Sequence, residues 1–148
     1  MRITIFLLTV VLLLPLEAQE KESVDQEMVG ILSATFLYQS YLNIGFLADL
    51  HVAGQYDADK AQAHCETLLS VISGTRDELQ AYRNHQLTET DQRYVAELVK
   101  VVDILLQECV ALNEYIQTGD PAPATRFNEL NAQAQEAISL LLGLEEIE

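Results

Sequence analysis

The sequence has 148 residues, a formal net charge of −15 at pH 7 and a hydrophobic share of 49%. So large an excess of negative charge makes nucleic acid and anionic membrane surfaces poor partners, because both would repel the chain. Only 7% of the residues are aromatic, and Trp is absent. Strand-forming and turn-forming residues are therefore both scarce, and we expect an acidic, all-α protein.

Residues 1–18 have the features of a signal peptide. Arg2 precedes an apolar run that ends at Leu16, and Ala18 is a small residue at which a signal peptidase could cut. As a helix the apolar run would reach roughly 21 Å, compared with roughly 30 Å of bilayer hydrocarbon. We predict a cleaved signal peptide, export to a periplasm or secretion, and one domain over residues 19–148. Cleavage one or two residues away and an uncleaved anchor are the alternatives, since Leu16 is bulky.

Helix-terminating and helix-capping residues divide the remaining chain into four segments. Thr88, with Asp91 three residues later, resembles a capping pair. Pro121 suits a first helical position, where no amide donor is needed. The other terminating or capping residues are Gly54, Asp57, Gly119 and Asp120. These signals predict helices over about residues 23–53, 58–84, 89–118 and 121–144.

Apolar residues recur at alternating spacings of three and four along the second, third and fourth helices. This heptad pattern is typical of helices packed at about 20° to one another. Short connections require neighbouring helices to be antiparallel, so we predict an up-down antiparallel four-helix bundle. The predicted core positions are Ala61, Cys65, Leu68, Ile72, Thr75, Leu79 and Tyr82, then Val95, Leu98, Val102, Leu105, Cys109, Leu112 and Ile116, then Phe127, Leu130, Ala134, Ala137, Leu141 and Leu144.

The first helix is apolar over much more than one stripe, which predicts contacts on two sides. One side would face the bundle core, and the other a second subunit, a ligand or another protein. Polar residues interrupt the apolar positions, so we expect no stable membrane span after signal cleavage. The alternative is a helix that its neighbours cover completely. The candidate ligand or interface residues are Phe36, Tyr38, Tyr41, Asn43, Asp49 and Tyr56.

The two cysteines occupy matched positions in the second hairpin. Leu79 and Val95 lie symmetrically about residue 87, the middle of the predicted turn, and so do Cys65 and Cys109. The cysteines should therefore face each other in the core, and in an oxidising compartment we expect a structural disulfide. It would add about 4 kcal/mol of stability in the chain-entropy model. The alternative is two reduced, buried thiols.

The motifs of common cofactor-binding bundles are missing from the sequence. None of the three histidines follows a Glu by three residues, as a di-iron bundle requires, and there is no Cys-x-x-Cys-His for covalent haem. Asp57, Asp59, His51 and His64 could gather at the first turn, but an ordinary acidic helix start is favoured. We predict an exported, non-enzymatic bundle that binds a partner or ligand, with no catalytic residue, metal or cofactor. The alternative is a haem or metal carrier, with Met28 and a histidine as haem ligands.

Overall fold

The computed structural model describes residues 16–85 and 87–143, with side chains from Gly30 onward. Within these residues the chain is helical and contains no strand, and adjacent helices pack against each other. The predicted all-α four-helix bundle is confirmed. Its helices are α1 (Leu16–Val52), α2 (Ala58–Tyr82), α3 (Glu89–Thr118) and α4 (Pro121–Leu142).

Two predictions concern parts of the chain beyond these limits. Residues 1–15 of the predicted signal peptide lie outside the described residues, and so does the predicted core position Leu144. Helix α1 begins at Leu16, earlier than the expected start at residue 23. Across the described residues, every helix is too short or too polar to cross a bilayer.

The chain divides into two compact units. The first unit extends to Ser33 and is helical from Leu16. The second unit begins at Ala34 and comprises the rest of α1 with the three following helices. Among the residues with described side chains, the buried core lies in the second unit, which is the four-helix bundle.

Helices α2, α3 and α4 begin at the predicted capping residues. The Asp57 side chain accepts a hydrogen bond from the backbone amide of Lys60 at 2.8 Å. Thr88 accepts from the amide of Asp91 at 3.2 Å, and Asp120 caps α4 in the same way. These side chains satisfy amide groups that have no partner inside the helix.

Glycine ends α3 as predicted. Gly119 has φ 66, in the left-handed region, and its amide donates to the carbonyl of Tyr115 at 2.8 Å. Residues with a Cβ are strained in this conformation, whereas glycine adopts it readily. The chain can therefore reverse within two residues and start α4 at Pro121.

Among the described side chains, helix α3 contributes more buried residues to the core than any other helix. Every predicted core position of α3 is buried, together with Val99, Val101 and Ala111, which the heptad pattern did not include. Helix α3 packs against both α2 and α4, and Tyr115 contacts the ring of His51 in α1 with centroids 6.0 Å apart. A helix with neighbours on three sides buries more than one stripe.

Replacing Gly74 in the middle of α2 by Ala should stabilise the bundle by about 1 kcal/mol, because glycine has a high entropic cost in a helix. A Cβ at Gly74 would meet nothing within 4 Å. The control is Gly119→Ala. Alanine is strained at the positive φ of this position, so the control variant should be destabilised by about 1 kcal/mol. Urea denaturation of both variants measures the effect. A destabilised Gly74→Ala variant would contradict the described packing of α2.

Candidate functional site

The six predicted interface residues do not form one continuous surface. Two grooves flank the outer face of α1. Asn43 and Tyr56 line the groove between α1 and α2, which has a volume of about 300 Å³. Tyr41 and Asp49 line the groove between α1 and α4, with a volume of about 330 Å³. We call these the α1/α2 groove and the α1/α4 groove.

The remaining two predicted residues differ in exposure. Tyr38 is exposed, whereas Phe36 is partly buried against the core. Tyr41 also packs partly against the core. Phe36 and Tyr41 are therefore less available to an outside partner than their place in the apolar run suggested.

Phe46 lies between the two grooves and lines both of them. Its side chain is 59% exposed, which is costly for so large an apolar group. The candidate set omitted Phe46, although it follows Tyr38 and Leu42 at spacings of four, the period that places residues on one helix face. The spacing of four was therefore the feature of the sequence that could have identified Phe46 as part of this face.

A buried carboxylate lies behind the α1/α4 groove. Glu108 of α3 is 0% exposed, and its Oε1 accepts a hydrogen bond from Asn131 Nδ2 of α4 at 2.8 Å. Asn131 Oδ1 in turn accepts from the hydroxyl of Tyr41 in α1, at 3.4 Å. Glu108 Oε2 has no hydrogen-bond partner among the described residues. Three helices therefore contribute to a polar chain that runs from the core to the groove.

Glu108 was not among the residues predicted from the sequence. It lies in a heptad row of apolar residues, seven residues after Val101, three after Leu105 and four before Leu112. All three of those neighbours are buried. An acidic residue at an apolar position was the signal that could have identified it.

Burial raises the pKa of Glu108 to about 7, and the hydrogen bond from Asn131 only partly opposes this shift. Burial also raises the pKa of Tyr41, and the nearby charge of Glu108 raises it further. Glu108 therefore exchanges between its neutral and charged forms near neutral pH. Titratable groups of this kind beside a groove are candidates for a functional site.

The two cysteines face each other in the core, as their symmetric positions predicted. Both are fully buried, and their Sγ atoms are 3.3 Å apart. Each thiol also lies within hydrogen-bond distance of the other residue's carbonyl, at 3.3 Å and 3.6 Å. A disulfide requires about 2.05 Å between the sulfurs. The predicted disulfide is therefore absent here, because the sulfurs remain at the contact distance of two free thiols.

The two thiols are in hydrogen-bond contact, and either sulfur can be the donor. The hydrogen bond lowers the pKa of whichever thiol accepts it, and burial acts to raise the pKa of both. The thiolate is the nucleophilic form, so one of the two thiols must lose its proton before it can react.

The first turn does not bring its acidic and histidine residues into a ligand set. Asp57 caps α2, His51 Nδ1 lies 3.3 Å from the carbonyl oxygen of Tyr56, and His64 stacks on the Tyr56 ring at 5.3 Å. Lys60 Nζ lies 3.8 Å from the centroid of that ring. Among the residues with described side chains, no three His, Cys, Asp or Glu are grouped so that they could hold a metal ion.

Comparisons with protein-family models, curated proteins and solved structures gave no match to this chain. The features of the molecule that bear on its function are therefore the two grooves, Phe46, Glu108 and the thiol pair.

Replacing Glu108 by Gln should remove a pH dependence of stability. The unfolded carboxyl ionises near its ordinary pKa of 4.5, whereas the folded one keeps its proton to about 7. Wild-type stability should therefore fall between these pH values, by up to roughly 3 kcal/mol. Compared with wild type, Glu108→Gln should gain stability at pH 8 but not at pH 4. Urea denaturation at both pH values measures the difference.

The control for that experiment is Glu129→Gln, since Glu129 is exposed on α4. It removes one negative charge without changing the core. An equal stability change at pH 8 in both variants would show that general charge repulsion, rather than burial of Glu108, is responsible.

Proposed function

We propose that the protein is an exported, non-enzymatic helical bundle that binds a second copy of itself or another protein through the outer face of α1. The single observation that carries the proposal is the exposure of Phe46 between two grooves. Exposed apolar side chains beside apolar grooves are typical of protein interaction surfaces.

The distribution of charge along the chain supports association through the outer face of α1. Between Met28 and Asp49 the chain has no Asp, Glu, Lys, Arg or His, although its formal net charge is −15. The negative charge therefore lies elsewhere on the molecule. The outer face of α1 can approach another surface with little desolvation of charged groups.

The apolar residues of this face also suit association. Tyr38 and Phe46 are exposed, and Leu42 between them is half-buried and lines the α1/α4 groove. The α1/α2 groove adds Leu50 and Leu68. Burying about 600 Å² of apolar surface would give a gross gain of about 15 kcal/mol before the cost of association is subtracted. A stable complex requires this gain to exceed the cost of association.

Phe46→Glu should weaken self-association at least tenfold, since it places a charge in the centre of the face. Light scattering over a concentration series measures the association. Raising the salt concentration should strengthen association of the wild type, because two copies with a net negative charge repel each other less when they are screened.

The matched control is Leu140→Glu, which changes another exposed apolar residue, 76% exposed, on α4. Leu140 lines neither groove. Circular dichroism should show the same helicity for both variants. A wild-type protein that stays monomeric at high concentration and high salt would refute self-association, and equal effects of the two variants would refute the assignment to α1.

We also propose that the thiol pair becomes a disulfide after export. Before the helices pack, while both cysteines are accessible, the thiolate of one would attack a disulfide of an exchange catalyst, and the other would then displace that catalyst from the mixed disulfide. The two thiols lose two electrons and two protons, and the catalyst is reduced to a dithiol. The support is the 3.3 Å contact between the two Sγ atoms, together with the apolar N-terminal segment of the sequence.

Protein taken directly from an oxidising compartment should release two alkylatable thiols only after reduction under denaturing conditions. Intact mass spectrometry counts the alkyl groups. The Cys65→Ala variant should instead show one thiol with or without reductant. Two thiols alkylated in the unreduced, denatured wild type would contradict the disulfide.

A further inference from the structure

The α1/α4 groove has the size and lining of a small-ligand site. Its volume of about 330 Å³ lies at the lower end of the range for such sites. Phe46 and Phe127 supply aromatic walls, and Tyr41, Asn131 and Asp49 supply polar groups. An apolar body with one polar end would fit this combination.

A buried polar group with one unpartnered oxygen lies behind the lining of the α1/α4 groove. Glu108 is fully buried, its Oε1 is bound by Asn131, and its Oε2 has no partner among the described residues. A carboxylate in the core that leaves one oxygen unsatisfied is destabilising, so its presence calls for an explanation. Asn131 connects this carboxyl group directly to the groove lining.

The charged groups in and behind the groove favour one sign of ligand charge over the other. Asp49 lines the groove, Glu108 lies behind it, and no Lys, Arg or His is part of its described lining. An anion would therefore meet two carboxyl groups with no compensating positive charge. A cation would be attracted to both, and its binding would offset the unfavourable burial of Glu108.

We propose that the α1/α4 groove binds a small primary ammonium ion that carries an aromatic or alkyl group. The ammonium lies on the side of Asp49, Tyr41 and Asn131, whose oxygen atoms accept its hydrogen bonds. The apolar part lies against Phe46 and Phe127, which line the same groove. This ligand class goes beyond the proposed association through α1 and does not depend on it.

Three probes of one shape and different charge test the proposal: 2-phenylethylamine, 2-phenylethanol and phenylacetate. In an NMR titration of the full-length bundle at pH 7.5, the amine should bind at least tenfold more tightly than the alcohol. Phenylacetate should not bind. The amine should shift the backbone resonances of Gly45, Asp49 and Asn131, which line the groove.

Two helical glycines provide a matched pair of variants. A Cβ at Gly45, which lines the groove, would meet nothing within 4 Å, and the same is true of Gly74 on α2. Gly45→Leu should fill the groove and abolish amine binding, whereas Gly74→Leu should leave it unchanged. Asp49→Asn should weaken amine binding at least tenfold but leave binding of the alcohol unchanged.

Absence of amine binding, equal binding of amine and alcohol, or retained binding in Gly45→Leu would each overturn the proposal. Light scattering of the same samples separates this result from the proposed association. A monomer that binds the amine selectively refutes only the association. An associating protein that does not distinguish amine from alcohol refutes only the ammonium site.

Discussion

The burial of α3 among the other helices is the constraint on which the rest of the bundle depends. Its core positions from Val95 to Ile116 are all buried, and α2 and α4 pack on either side of it. Burial of apolar side chains is the largest favourable term in folding, so this packing fixes the register of both hairpins. The contact of Cys65 with Cys109 and the reach of Asn131 to Glu108 both follow from that register.

Glu108 is the exception within this apolar core. Its hydrogen bond with Asn131 connects α3 to α4, and Tyr41 continues the connection to α1. Ionisation of this buried carboxyl group destabilises the folded bundle. The stability of the bundle is therefore sensitive to pH in the neutral range. Together with Asp49 in the groove lining, Glu108 gives this region two carboxyl groups, and its described lining contains no basic residue.

Helix α1 combines two surfaces with different physical properties. Leu37, Ile44 and Leu47 are buried in the core, whereas Tyr38 and Phe46 remain exposed on the opposite side. No charged residue separates these surfaces along the helix between Met28 and Asp49. The bundle therefore presents an uncharged apolar face on an otherwise strongly acidic molecule, and this contrast is the physical basis for proposing a binding role.

The sequence by itself determined the helices, their caps and the register of the second hairpin. Caps such as Asp57 and Gly119 depend on hydrogen bonds within a few residues, and heptad spacing depends only on helix geometry. Only the tertiary structure decided that Glu108 is buried, that Phe46 lies between two grooves and that the two thiol sulfurs lie 3.3 Å apart. Those features depend on how closely neighbouring helices approach and which side chains they cover, and residue spacing along one helix does not contain that information.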